Sequence, residues 1–131
     1  MALPNGAGGY QVGDGNLNEV ILGTQVAPAA YTAAASPLLV ADLIKGIITY
    51  DAGGANDLQL PTVANLEAAV SSAKVNSAFE FSVLALGAGT ATITTNTGWT
   101  LVGNMAVATT IAKKFRARKL AEGSWALYQI G

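Results

Sequence analysis

The sequence predicts a mainly β fold: an antiparallel β-sandwich or jelly-roll-like barrel with one short α-helix and a flexible N-terminal arm. Three observations lead to this prediction. Apolar and polar residues alternate at every second position in several short segments. Glycine, asparagine and threonine separate those segments, as turns separate the strands of an antiparallel sheet. Only one segment places its apolar residues at helical spacing over more than two turns.

The length of 131 residues is that of one domain with an appended arm. Residues 1–18 form the predicted arm, and residues 19–131 form the predicted β-sandwich domain. The arm is rich in glycine and asparagine, a composition that does not offset its own ordering entropy. Two interpretations are open: a frayed terminus, or an arm that becomes ordered on a neighbouring subunit or partner.

The centre of the domain is predicted to be a β-hairpin over residues 79–95. Phe81 and Val83 fall on one face of its first strand, and Ile93 falls on one face of its second strand. Residues 87–89, Gly-Ala-Gly, supply the turn, because glycine adopts the positive φ that a short connection requires. These residues also resemble part of a dinucleotide-binding motif. The turn is the favoured interpretation, because a strand pattern follows them and not a helix.

The other elements follow from the same patterns. Thr62 is a good N-cap, and Val63, Leu66 and Val70 follow it at helical spacing. We therefore expect an amphipathic helix at residues 63–73, together with a short helix at 38–45 that Gly46 ends. The predicted strands outside the hairpin are residues 20–26, 47–50, 57–60, 99–102, 105–111, 113–120 and 125–130.

The composition excludes several classes of chemistry. The chain has no cysteine and no histidine, so it has no thiol nucleophile, no zinc-thiolate site and no Ser-His arrangement. We expect no catalytic residues, no cofactor and no metal, and predict that the protein is not an enzyme. A calcium-loop-like start at Asp14 lacks the glycine and glutamate that such a loop needs at its sixth and twelfth positions. Asp51 and Asp57, which bracket one loop, are the only carboxylate pair worth inspecting.

The low charge content predicts a protein partner. Only 11% of the residues are charged, against about 25% in ordinary domains, and 51% are hydrophobic. Some apolar surface should therefore be exposed in a single copy, and self-association is the simplest way to cover it. The net charge of −1 gives no long-range attraction to nucleic acid or to an anionic membrane. The sequence also shows no secretory signal pattern and no apolar run of about 20 residues.

Five of the seven positive side chains lie within residues 113–119, KKFRARK. This segment has three possible interpretations. It is an edge strand that its cations protect from pairing, a docking surface for an acidic protein, or a nucleic-acid site. The last is disfavoured because Phe115 alternates to the face opposite Lys114, Arg116 and Arg118, which leaves that basic row without an aromatic platform.

Several segments from Leu38 onward share a pattern: residues 43–51, LIKGIITYD; the Leu60-Pro61-Thr62 step into the helix; residues 79–83, FEFSV; residues 87–95, GAGTATITT; residues 98–103, GWTLVG; residues 115–118, FRAR; and the closing Leu127-Tyr128. This region, about two thirds of the chain, resembles tailed-phage virion proteins, especially capsid decoration (cement) proteins and related head or tail fibre modules. The glycine-rich start, GGYQVGDGN, is similar to the arm of a small phage head protein.

This resemblance implies a structural virion protein. It would be made in the host cytoplasm and would bind the outer capsid surface as an oligomer, most simply a homotrimer, bridging major capsid subunits. The alternative is a receptor-binding or fibre head module that binds a host glycan or protein. The residues expected to dock on the capsid are Leu3, Tyr10, Val12, Leu17, Lys113, Lys114, Arg116 and Arg118. The residues expected to form the core and the contacts between protomers are Phe79, Phe81, Val83, Ile93, Trp99, Phe115 and Trp125.

Overall fold

A computed structural model describes residues 22–33, 36–87 and 89–131. Within these residues the chain forms nine strands and two helices. The strands are β1 (Ala29–Tyr31), β2 (Ile47–Tyr50), β3 (Asn56–Gln59), β4 (Ala78–Ala85), β5 (Ala91–Thr94), β6 (Trp99–Val102), β7 (Ala106–Val107), β8 (Ala112–Ala121) and β9 (Ser124–Gln129). The helices are α1 (Val40–Leu43) and α2 (Val63–Ala69). This confirms the predicted mainly β class. The predicted arm, residues 1–18, lies outside the described residues.

The strands form two sheets. A six-stranded sheet has the order β1-β2-β4-β8-β9-β6, and a three-stranded sheet has the order β3-β5-β7. The pairs β4–β8, β8–β9 and β5–β7 are antiparallel, whereas β1–β2, β2–β4, β6–β9 and β3–β5 are parallel. The pairing is therefore mixed and not antiparallel throughout. Parallel neighbours need long crossovers, and in the large sheet α1, α2, β3 and β7 lie within them.

The predicted hairpin over residues 79–95 is wrong. β4 pairs with β2 and β8 in the large sheet, whereas β5 pairs with β3 and β7 in the small one. Alternation shows which face of a strand is buried, but two strands with buried faces can meet either side by side or across a core. A tight hairpin instead joins β8 to β9, with Ala121 opposite Ser124. Gly123 has a φ of +75° in its turn, the conformation that such a connection favours.

Other boundaries also differ from the prediction. Residues 22–26, the described part of the strand expected at 20–26, form no strand, and β1 begins only at Ala29. Of the strand expected at 105–111, only Ala106–Val107 is paired. β2 and β6 have the predicted bounds. The paired strands β1 and β7 are only three and two residues long, too short for a recognisable alternation.

The cap of the longer helix is as predicted. The Asn65 backbone N–H donates to Thr62 Oγ1 at 3.3 Å, and Val63 and Leu66 are buried. The helix ends at Ala69, earlier than expected, because Val70 leaves helical geometry with φ −119° and ψ 54°. Val70 and Ala73 nevertheless remain packed against the core. The short helix expected at residues 38–45 is α1, which spans only Val40–Leu43.

One hydrophobic cluster contains buried apolar residues from both sheets and both helices. Its centre is aromatic: the Phe81 and Phe115 ring centroids are 5.6 Å apart, and those of Trp99 and Trp125 are 6.3 Å apart. Trp99 Nε1 donates to the Pro61 carbonyl at 2.7 Å, which satisfies its polar atom and ties β6 to the start of α2. Among the described residues, neither helix is long and apolar enough to cross a lipid bilayer.

Candidate docking surface

The basic segment forms β8, an interior strand of the large sheet. It pairs with β4 on one side and β9 on the other, so the edge-strand interpretation is wrong. Phe115 and Ala117 face the core and are fully buried, whereas Lys114 and Arg116 face outward and are about half exposed. A central strand can carry cations because only one face of this sheet is covered. We call Lys114, Arg116, Arg118 and their cross-strand neighbour Glu80 the cationic band.

Glu80 lies opposite Arg116 on β4 and organises one half of the band. Arg116 Nε donates to Glu80 Oε2 at 2.7 Å, its Nη2 donates to the same oxygen, and Lys114 Nζ lies 3.3 Å from Glu80 Oε1. The hydrogen bond from Arg116 and then that from Lys114 hold the pKa of the Glu80 carboxyl below its usual range. Both cations are thereby positioned side by side on the outer face.

Arg118 is held differently, by neutral partners. Its Nη1 donates to Asn76 Oδ1 at 2.7 Å and its Nη2 donates to Tyr128 Oη at 2.8 Å. The guanidinium carbon also lies 5.6 Å from the centre of the Tyr128 ring, a cation–π distance. Because no carboxylate is among these partners, the charge of Arg118 is oriented without being neutralised. The band therefore has three cations and one carboxylate, an excess of two positive charges on a chain whose net charge is −1.

The other two cations of the segment do not belong to this band. Lys113, predicted to dock with its neighbours, alternates to the opposite side of β8, and its Nζ donates to the Asn104 carbonyl at 3.3 Å. Strand alternation therefore separates Lys113 from Lys114, Arg116 and Arg118, as it separates Phe115 from them. Its role in docking stays a prediction. Lys119 also takes the inward side and is 8% exposed.

Lys119 lies in a polar cluster that the sequence analysis missed. Its Nζ donates to the Ala73 carbonyl at 3.1 Å and lies 3.6 Å from Glu67 Oε2 on α2. Glu67 accepts hydrogen bonds from the Gly123 N–H at 3.0 Å and from Trp125 Nε1 at 3.2 Å. These contacts, the Gly123 bond first, hold the pKa of the Glu67 carboxyl below its usual range. The cluster joins α2 to the β8–β9 turn. Lys119 falls on the same side of the strand pattern as Phe115 and Ala117, so alternation in the sequence could have predicted that it points inward.

The predicted core residues are placed as expected. Phe81, Val83, Ile93, Trp99, Phe115 and Trp125 are buried, and Phe79 is half-buried against the same cluster. They already pack within one chain. Their proposed second role, contact between protomers, stays a prediction.

The remaining candidates give no site in the described part of the chain. Asp51 follows β2 of the large sheet and Asp57 lies on β3 of the small sheet, and both are exposed. No group of three metal-ligating side chains occurs among the described residues. The predicted docking residues Leu3, Tyr10, Val12 and Leu17, and the start of the calcium-loop-like segment at Asp14, lie outside them.

No protein-family model matches this chain, and neither a curated protein nor a solved structure is significantly similar to it. What the protein does must therefore be inferred from its own residues. The surface that these residues build is a broad sheet face with cations held in fixed positions.

Proposed function

We propose that this protein is a structural component of a phage virion. It binds the outer surface of the capsid as an oligomer, most simply a homotrimer, and stabilises the assembled shell by bridging neighbouring major capsid subunits. The observation that carries this proposal is the cationic band, because its side chains are already held in place on an open sheet face. Pre-positioned charges lose less conformational freedom on binding than free ones do.

The chemistry of the band favours an acidic protein surface as the partner. Arg116 and Arg118 are planar donors that suit carboxylates, and Arg118 has no carboxylate among its present partners. A shell whose exposed loops carry aspartate and glutamate would supply them. Charge complementarity of this kind sets the orientation and the rate of docking more than the affinity itself.

Shell stabilisation would follow from mass action. A protein that binds the assembled shell, but not its separated subunits, raises the free energy needed to disrupt the shell. An oligomer that contacts several subunits at once also gains from a high effective concentration at each further contact. Modest individual contacts repeated over the surface would then suffice.

The direct test is binding to empty capsids of the phage that encodes the protein. The variant Lys114→Gln/Arg116→Gln removes two charges from the band and leaves Arg118 with its structural partners. Lys45→Gln/Lys74→Gln is the matched control, because it removes two cations that lie outside β8. We expect the first variant to bind capsids at least about tenfold more weakly than the control, a difference of roughly 1.4 kcal/mol. Circular dichroism verifies that both remain folded.

Two results would overturn the proposal. One is wild-type protein that does not sediment with capsids, and the other is capsids that resist heat equally well with and without it. If both variants bind capsids as tightly as the wild type does, the cationic band is not part of the docking surface.

The fibre-head alternative predicts binding to a host glycan or surface protein. Glycans are commonly bound by exposed aromatic rings. Every aromatic residue in the described ranges is buried or half-buried, which favours the shell proposal. Binding of the wild-type protein to host cells but not to capsids would reverse this preference.

A further inference from the structure

The two arginines of the cationic band differ in what stands opposite them on the neighbouring strands. Arg116 faces Glu80 on β4, whereas Arg118 faces Ala78 on β4 and Ala126 on β9. Side chains directly opposite each other on paired strands lie about 5 Å apart, so an acidic residue at either position would pair with Arg118. Each position instead carries a single methyl group, which leaves the outer face beside this guanidinium unfilled.

The guanidinium of Arg118 has donors to spare. A guanidinium has five N–H groups. Here Nε and Nη2 donate to Tyr128 Oη at 3.1 and 2.8 Å, and Nη1 donates to Asn76 Oδ1 at 2.7 Å. One N–H therefore remains on each of the two terminal nitrogens. Those two nitrogens are a pair from which a carboxylate can accept two parallel hydrogen bonds.

The partners of Arg118 are themselves held by the backbone. The Asn76 N–H donates to the Lys119 carbonyl at 2.9 Å, and the Lys119 N–H donates to the Ser77 carbonyl at 2.9 Å. Asn76 takes a φ of +73°, a conformation that asparagine adopts more readily than most residues. Tyr128 lies on β9, whose pairing with β8 places it beside Arg118. The half-buried guanidinium therefore has little freedom left to lose when an anion binds.

We propose that Arg118 binds the carboxylate of an aspartate or glutamate side chain of the partner protein, through the N–H groups that remain on its two terminal nitrogens. This inference rests on the proposed function, which gives an acidic protein surface as the partner. It adds the residue that pairs with that surface and the group that this residue takes.

Glu80 shows how the same sheet face holds a carboxylate. Arg116 donates to one of its oxygens through Nε and Nη2, and Lys114 lies 3.3 Å from the other. These two cations already share a carboxylate of their own chain. We therefore assign them to attraction and orientation of the acidic partner, and assign the direct pair to Arg118.

The other cations without a carboxylate partner do not offer the same site. Within the described ranges, Lys74 and Lys113 also have no carboxylate within 4.0 Å. A lysine ammonium is a point charge without the planar fork of a guanidinium. Lys113 also lies on the opposite side of β8, where it donates to the Asn104 carbonyl. Arg118 alone combines a free fork with neutral partners that fix it.

Nuclear magnetic resonance of the purified protein tests the pair without capsids. Arg116 and Arg118 are the only arginines of the chain, so two side-chain Nε–H signals are expected, and Arg118→Lys assigns them by removing one. A short capped polyglutamate peptide is the probe, and a polyglutamine peptide of the same length is its control. We expect polyglutamate to shift the Arg118 signal more than the Arg116 signal, and polyglutamine to shift neither. No shift at Arg118, or a response to inorganic phosphate alone, would overturn the inference.

Filling the site from within the chain is the second test. Ala78→Glu places opposite Arg118 the carboxylate that Arg116 already has, and leaves the partners of Arg118 unchanged. Ala64→Glu is the matched control, because Ala64 is exposed on α2, which contacts the inner face of β8 through Glu67. We expect Ala78→Glu to bind capsids about fivefold more weakly than Ala64→Glu, the factor that corresponds to one partly exposed ion pair. Urea midpoints verify that both variants are folded.

Arg118→Lys separates the fork from the charge. It keeps the positive charge but cannot form the two parallel hydrogen bonds, so it too should bind capsids more weakly than wild type. Capsid binding that is unchanged in both Ala78→Glu and Arg118→Lys would overturn this inference and leave the proposed function standing. Wild-type protein that does not bind capsids refutes the proposed function instead, whereas the peptide titration still reports on Arg118.

Discussion

The two faces of β8 use positive side chains in different ways. On the outer face, Lys114 and Arg116 share Glu80 and remain about half exposed to water. On the inner face, Lys119 is buried and is held by the Ala73 carbonyl and Glu67. Exposed ion pairs contribute little to stability because water solvates the separated charges almost as well. A buried cation without its partners is costly, so we expect the cations of the inner face to matter for folding. The outer face is the one that we propose for binding.

The sharpest test of this difference is the removal of a core ring from the inner face. Phe115 is fully buried and packs against Phe81, so Phe115→Ala leaves a cavity in the aromatic cluster. We expect a loss of about 3 to 5 kcal/mol in the free energy of unfolding. Urea denaturation followed by tryptophan fluorescence measures it. A loss below about 1 kcal/mol, the size expected at the surface, would show that this face is not the core.

The second test compares two lysines of the same strand. Lys119→Met keeps the length of the side chain but removes the donor to the Ala73 carbonyl. Leaving buried acceptors without a partner should cost about 2 kcal/mol. Lys114→Met on the outer face is the control and should change the urea midpoint very little. Equal losses of stability in Lys119→Met and Lys114→Met would show that the two faces of β8 do not differ in this way.

The third test uses pH on the partner of Lys119. The pKa of Glu67 is lowered in the folded protein, chiefly by the Gly123 N–H, so its contribution to stability is fully present above the unfolded pKa. That contribution is lost as the pH falls below about 4.3 and through the lower folded value. Glu67→Gln should therefore be less stable than wild type at pH 7, with the difference shrinking in acid.

The matched control for this pH experiment is Glu122→Gln. Glu122 lies at the same 3.6 Å from Lys119 Nζ as Glu67 does, but its side chain is 90% exposed. The urea midpoint of the Glu122→Gln variant should equal that of the wild type at every pH. A pH dependence that survives unchanged in Glu67→Gln would assign the acid sensitivity to another group.

The smallest effect is expected on the outer face. Arg116→Ala breaks the contacts with Glu80 where both side chains reach water. It should move the urea midpoint less than Phe115→Ala, Lys119→Met or Glu67→Gln does. The remaining difference from wild type should vanish in about 1 M salt, which screens exposed charges within a few ångströms. A large, salt-insensitive loss would mean that the cationic band stabilises the fold and is not reserved for a partner.

Much of the fold was predictable from local pattern. The mainly β class, the Thr62 cap, the bounds of β2 and β6, and the separation of Phe115 from Lys114, Arg116 and Arg118 followed from alternation and capping. The candidate docking surface was predictable only in part. Lys114, Arg116 and Arg118 share a face as expected, but Glu80 joined them through a pairing 36 residues distant in sequence. The oligomer, the capsid and the fibre-head alternative stay predictions.

The sequence by itself determined which side of the longer strands β4 and β8 is apolar, because the side chains of a strand alternate whatever its neighbours are. Only the tertiary structure decided which strands are neighbours. It separated β4 from β5, made β8 an interior strand and buried Lys119 against α2. The physical reason is that a strand's backbone bonds equally well to any partner of suitable register. The choice depends on how the whole chain buries its apolar faces together, and no single segment contains that information.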